Sequence, residues 1–246
     1  MKDFRILSAR RSYLFRPDQL RLTVLTLAEP RERIRSTFGF QSARIEAPQP
    51  TFGPVPETQP PGLVFEYGEI RDGTNRIVPI RFLTVDSQRL VIDAAGPSAA
   101  IDEFYRRLTA LVRKDVAPDG SPAIAEPIQR QDISQVVATL DIDLASLVQP
   151  EMATALRLAI KPIEQPRKYQ LALSITSQLV PDGEEFVGDS EPALIAHIAP
   201  RAGYPLSDKS FFSAAPLTTD DHKEYLARLE LVLASPRKIS KAERRK

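Results

Sequence analysis

The sequence predicts an α+β fold: two antiparallel β-meander units, each followed by an amphipathic helix, in a pseudo-duplicated arrangement. Three observations predict it. Short stretches with period-two alternation are separated by turn signals such as Asp72-Gly73 and Pro181-Asp182-Gly183. Two stretches, near 97–114 and 219–234, switch to helical spacing. Proline gathers at two joints between these blocks. The expected organisation is a basic N-terminal β-hairpin segment (1–46), a Pro-rich linker (47–62), a sheet-plus-helix unit (63–114), a linker (115–131), a second sheet-plus-helix unit (132–235) and a basic, disordered tail (236–246).

Each element has a local reason. Residues 4–15 alternate loosely and end at Arg16-Pro17-Asp18-Gln19, where proline presets φ for a turn and Asp bonds nearby backbone. Leu20–Leu27 is rich in branched residues and reads as the second strand of a hairpin. Residues 31–40 read either as a short helix opened by Pro30 or as a strand with Ile34, Ser36, Phe38 and Phe40 on one face. The segment 47–62 holds six prolines and no period, which suits an extended connecting arm. Strands are expected over Leu63–Ile70, Arg76–Val85 and Arg89–Ala94, with Pro79 favouring an edge or bulge. The helix that follows places Ile101, Phe104, Tyr105, Leu108, Leu111 and Val112 on one face.

In the second unit, strands are expected over Val136–Val148, Tyr169–Leu179, Ala193–Ala199 and Ser210–Ala215. Residues 150–160 fit either helix or strand. The last helix has Thr218 or Thr219 to cap it, Asp220 and Asp221 in its first turn, and an apolar face of Tyr225, Leu226, Leu229, Val232 and Leu233. A shift of 121 residues superposes the closing strand and helix of the two units without a gap. It aligns Glu103-Phe104-x-x-Arg107-Leu108 with Glu224-Tyr225-x-x-Arg228-Leu229, although only four of 25 aligned positions are identical.

Composition narrows function by exclusion. The 246 residues include no Cys and two His. That excludes disulfides, thiolate nucleophiles, Fe–S clusters and Cys-type zinc sites. It also suits a cytoplasmic setting. No apolar run is long enough to span a bilayer, and the N-terminal stretch lacks the apolar core of a secretory signal, so no membrane role is expected. The net charge of +1 conceals segregation: residues 1–45 carry +6, 46–235 carry −10 and 236–246 carry +5.

Candidate chemistry is sparse. Asp141 and Asp143 share one face of an expected strand, a geometry that can hold Mg²⁺ or Mn²⁺ for phosphoryl chemistry, but no third carboxylate or Lys adjoins them in sequence. The acidic run between Asp182 and Glu191 lacks the spacing of an EF-hand loop. His197 and His222 have no G-x-S-x-G partner motif, and no Gly-rich phosphate loop occurs. The basic ends are the stronger signal. Arg10, Arg11 and Arg16, with Arg237, Lys238, Lys241, Arg244, Arg245 and Lys246, are the candidate nucleic-acid contacts. No catalytic residue, metal ligand or cofactor is assigned.

The expectation is a non-catalytic intracellular interaction or assembly protein that binds a protein partner or itself, through sheet faces, edges and charged ends. Two alternatives stand beside it. One is a nucleic-acid-associated protein using the basic ends; the other is a metal-dependent phosphodiesterase or nuclease using Asp141 and Asp143.

Overall fold

The computed structural model describes residues 1–46, 62–144, 152, 154, 172–179 and 194–234. The chain is mixed α+β, and its described strand pairs are antiparallel. It divides into two compact units, one of residues 6–134 and one of residues 1–5 with 135–246.

In the 6–134 unit the elements are β1 (Lys2–Leu14, from Ile6), α1 (Leu22–Leu25), α2 (Ala28–Thr37), β2 (Ser42–Glu46), β3 (Gly62–Arg71), β4 (Ile77–Val85), β5 (Arg89–Ala94), α3 (Ser98–Leu111) and β6 (Gln129–Thr139, to Ser134). The strand order is β2-β3-β4-β5-β1-β6. Register sorts the side chains. Phe65, Leu83 and Ile92 stand in one row, and Leu63, Val85 and Leu90 in the next. Both rows enter one core with Leu25 of α1, Ile34 of α2 and Ile101, Phe104 and Leu108 of α3. All three helices therefore pack on the same face of this sheet. Aromatic rings fill its centre: Phe38 lies 4.3 Å from Phe104, and Phe40 lies 5.2 Å from Phe65.

Gly68 makes that packing possible. A Cβ there would stand 2.6 Å from the Phe40 ring and 2.9 Å from the Phe38 carbonyl oxygen.

The N-terminal hairpin does not form. β1 is a strand, but its partner is β5, with Arg10 opposite Asp93 and Arg11 opposite Ile92. The expected second strand holds a single helical turn, α1, whose Val24 and Leu25 are buried. Arg21 N–H bonds the Ala123 carbonyl at 2.9 Å and Leu20 bridges Ile124, so long-range contacts override the local alternation. Residues 31–40 take the helical alternative, with Arg33–Glu29 and Arg35–Glu32 pairs along α2. The expected joint at 115–131 is anchored at three points, Ala117, Ala123 and Ile124 of the core, and β6 begins at Gln129.

The other unit contains Met1–Arg5 of β1, β6 from Gln135, β7 (Ile175–Leu179), β8 (Leu194–Pro200), β9 (Ser210–Ala215) and α4 (Thr219–Ala234). Its order is β1-β6-β9-β8-β7. Ala196, Ile198, Phe211, Ala215 and Leu226 form its buried interior. Thr218 caps α4: its hydroxyl accepts the Asp221 N–H at 3.2 Å and donates to the Asp221 carboxylate at 2.6 Å. β6 ends at Thr139, so Asp141 and Asp143 lie beyond the strand expected to carry them. The Pro-rich segment 47–61, residues 155–171, the acidic run and the basic tail lie outside the described residues.

A strand (β1 or β6) pairs with the last strand of a three-stranded meander (β3-β4-β5 or β7-β8-β9), and a helix follows that strand.

Candidate interaction face

The face of the 6–134 sheet that its helices leave open is built of two side-chain rows. Arg10, Asp93, Phe82, Glu66 and Ser42 stand in register across β1, β5, β4, β3 and β2. Ser12, Val91, Thr84, Val64 and Arg44 form the adjacent row. The residues of both rows alternate with core residues along each strand, as the pleat requires.

Asp93 is the buried member of the first row, with its side chain 4% exposed. Arg10 Nε donates to its Oδ2 at 2.9 Å. The Arg10 guanidinium also lies 5.1 Å from the Phe82 ring centroid. Arg81 reaches the same carboxylate because β4 is bulged. The register slips between Ile80–Ala94 and Phe82–Asp93, which leaves Arg81 as the extra residue and turns it toward Asp93. Its Nε lies 3.1 Å from Oδ1, off the line of a hydrogen bond, while Nη2 donates to the Leu7 carbonyl at 3.3 Å.

At the other end of the face, Glu66 accepts from Arg44 and from the Ser42 hydroxyl at 3.0 Å. Those bonds, the Arg44 bond first, hold its carboxyl below the usual range. Arg10 and Arg81 share Asp93, and Arg44 takes both Glu66 and, at 2.9 Å, Glu46, so three cations meet three carboxylates around Phe82, Val64, Val91 and Thr84.

Arg10 and Arg11 fall on opposite faces. Arg11 is in phase with Tyr13 and stands opposite Ile92, so it points into the core and is fully buried. Its Nε donates to Asp132 at 2.7 Å and its Nη1 to Asp102, with the Tyr13 hydroxyl 3.5 Å away. Burial pulls the guanidinium down, but the bonds with Tyr13 and Asp132 leave it above its ordinary value. Tyr13 stacks on Tyr105 at 4.0 Å, and burial raises the pKa of both phenols. Arg130 closes the group, 2.9 Å from Asp132. Arg11 is therefore withdrawn from the proposed nucleic-acid surface, because its side chain is fully buried and its Nε and Nη1 serve Asp132 and Asp102. Arg16 is exposed in the turn after β1. Arg237, Lys238, Lys241, Arg244, Arg245 and Lys246 lie outside the described residues.

The acidic and histidine candidates are also placed. Asp141 and Asp143 are exposed, and Lys209, distant in sequence, pairs with Asp141. That bond holds the Asp141 carboxyl below its ordinary value and raises the Lys209 ammonium. No third His, Cys or carboxylate joins the two aspartates among the described residues. His197 Nδ1 lies 3.2 Å from the Thr176 hydroxyl.

His222 is fully buried beside Ser213, a pairing that sequence reasoning did not find. Ser213 spends its hydroxyl proton on the His197 carbonyl at 3.0 Å. It must therefore accept from His222 Nε2 at 2.8 Å, which makes the imidazole a neutral Nε2–H tautomer. Burial pushes its pKa down to about 4. Ser213 is 1% exposed, so the pair is an internal tie between β9 and α4 with no open approach for a substrate.

No family model matches the chain, and no curated protein or solved structure matches it.

Proposed function

We propose that this chain is a non-catalytic interaction or assembly protein that binds a protein partner, or a second copy of itself, on the open sheet face of the 6–134 unit. One observation carries the reading. Two rows of five residues form a face on which no described helix of its own unit packs, and its cations are paired with carboxylates around an apolar strip. A polyanion is drawn by uncompensated positive charge. A face with matched charges and a half-buried aromatic, Phe82, suits a polypeptide surface of mixed character. The absence of Cys supports a reducing, cytoplasmic setting.

The repeated connectivity supports a duplicated β-meander-helix ancestry for the two units. The Glu103–Arg107 ion pair on α3 has its counterpart, 121 residues on, in Glu224–Arg228 on α4.

A nucleic-acid reading retains one specific observation, the guanidinium–ring pair of Arg10 and Phe82, which resembles a base-stacking platform in kind. The test separates the two. A photoreactive benzoyl-phenylalanine at Thr84 should cross-link a polypeptide, while the same residue at exposed Arg113 should not. Equal capture at both positions overturns the reading. Retention of single-stranded RNA that fades with salt and is lost in Phe82→Ala would transfer the face to nucleic acid.

A further inference from the structure

The charges of the open face are balanced in number but divided between its two sides. On the β1, β5 and β4 side, Arg10 and Arg81 both lie on Asp93, so one carboxylate serves two cations. Arg89 and Asp86, at the start of β5, pair with each other at 3.4 Å. That side holds one positive charge in excess. On the β3 and β2 side, Arg44 serves both Glu66 and Glu46. Glu69 and Arg71 also project outward there, because Gly68 abuts Phe40 and Ile70 is a core residue. They add one charge of each sign. The β3 and β2 side therefore holds one negative charge in excess.

Two further features bear on the occupant. The first is Tyr67. Phe65 faces the core and Gly68 abuts it, so Glu66 and Tyr67 are consecutive outward residues, and Tyr67 and Arg81 fall between the same two register pairs. Tyr67 takes φ +57°, a region that a bulky side chain enters at a cost, and is 63% exposed. An exposed Tyr beside Glu66 puts an anchor-type side chain on the negative side of the face. The second is area. Five strands about 4.8 Å apart and nine residues long, as β4 is, cover roughly 700 Å². Stable interfaces bury about 800 Å² on each partner, so the face is the size that one partner needs.

A face with a positive side and a negative side is complementary to itself after a half-turn. We propose that a second copy of the chain packs on the open face, sheet on sheet, about a two-fold axis running along β4. The axis lays the β1 and β5 side of each copy over the β2 and β3 side of the other. The positive excess at Arg10 then meets the negative excess at Glu66 twice. Phe82, which stands between Asp93 and Glu66 in its row, faces its own symmetry mate. Strands of the two copies cross at about 30°, as in aligned sheet packing. A second copy is one of the polypeptides that the open-face reading allows, so its place here rests on that reading.

Sedimentation velocity of the purified whole chain should show a dimer, with a dissociation constant of micromolar or tighter. Phe82→Glu and Phe82→Lys each set two like charges on the axis, and each should weaken the dimer about a hundredfold. Mixed in equal amounts, the two variants should associate as a heterodimer, because one Glu then meets one Lys. A purified chain carrying benzoyl-phenylalanine at Thr84, irradiated alone, should cross-link to twice the chain mass, and this arm holds even if a Phe82 variant fails to fold. A monomeric wild-type chain, an undiminished dimer in either Phe82 variant, or folded variants that stay apart when mixed would each overturn the second copy. A Thr84 probe that captures a different polypeptide from a lysate, while the purified chain stays monomeric, removes the second copy and leaves the open-face reading standing. A probe that captures nothing in either setting removes both.

Discussion

Arg11 and Asp132 are joined by a 2.7 Å bond between two neighbouring strands, and Arg11 has no exposed surface. Asp132→Ala removes the bond at Nε but leaves Arg11 its partner Asp102, so the loss is that of one hydrogen bond to a buried charge rather than of the whole pair. It should lower unfolding stability by about 1.5–3 kcal/mol in urea titration. Arg130→Ala, which removes a half-exposed cation from the same carboxylate, should cost under about 1 kcal/mol. Comparable losses in the two variants would contradict the asymmetry.

His222 makes stability depend on pH. Its folded pKa, about 4, lies below the ordinary 6.5. Above pH 6.5 both states are neutral, and the group contributes no pH dependence. As pH falls from 6.5 toward 4 the unfolded chain takes up a proton that the folded chain refuses. Stability then drops by about 1.4 kcal/mol per pH unit, to roughly 3 kcal/mol in total. At the same 121-residue shift, Ser213 and His222 stand where the other unit has Ile92 and Ile101, both buried. The double variant Ser213→Ile/His222→Ile should therefore flatten the decline between pH 6.5 and 5. An unchanged slope would show that another group carries it.

Gly68→Ala should destabilise the 6–134 unit by about 1–3 kcal/mol, because the added methyl meets the Phe40 ring and a backbone oxygen. Urea titration of Gly68→Ala/Phe40→Leu tests the cause. The smaller side chain should make the alanine less costly than it is beside Phe40.

Thr218→Ala should cost about 1 kcal/mol through loss of the α4 cap. Thr218→Ser, which retains the hydroxyl, should lie within a few tenths of wild type by thermal unfolding. A full loss in the serine variant would assign the effect to the methyl group instead.

The local pattern made β3, β4, β5, α3 and α4 legible, since each has a clear period and a turn or cap at its ends. It could not supply the partner of β1. Arg10–Asp93 pairing spans 83 positions, and no hairpin turn announces it. The alternation of Leu20–Leu27 pointed to a strand and misled: Val24 and Leu25 are buried in a helical turn because Ala123 and Ile124 arrive beside it from far along the chain. The burial of Arg11 was readable in principle. It shares a strand face with Ala9, Tyr13 and Phe15, all buried, whereas Arg10 is out of phase with them. Treating neighbouring arginines as one basic patch concealed that difference of one residue. The bulge that aims Arg81 at Asp93 has only Pro79 as a nearby sign in sequence.

The division of β1 at Arg5 and Ile6 gives the chain an order of synthesis. Residues 6–134 form a continuous stretch, so that unit holds everything it needs once Ser134 has left the ribosome. The other unit is discontinuous: it takes Met1–Arg5 together with residues from Gln135 onward. Residues Met1–Arg5 must therefore wait until the chain from Gln135 onward has been made to find their partners. Ribosome-bound chains halted beyond Ser134 should protect the 6–134 unit from protease while leaving residues 1–5 open to cleavage.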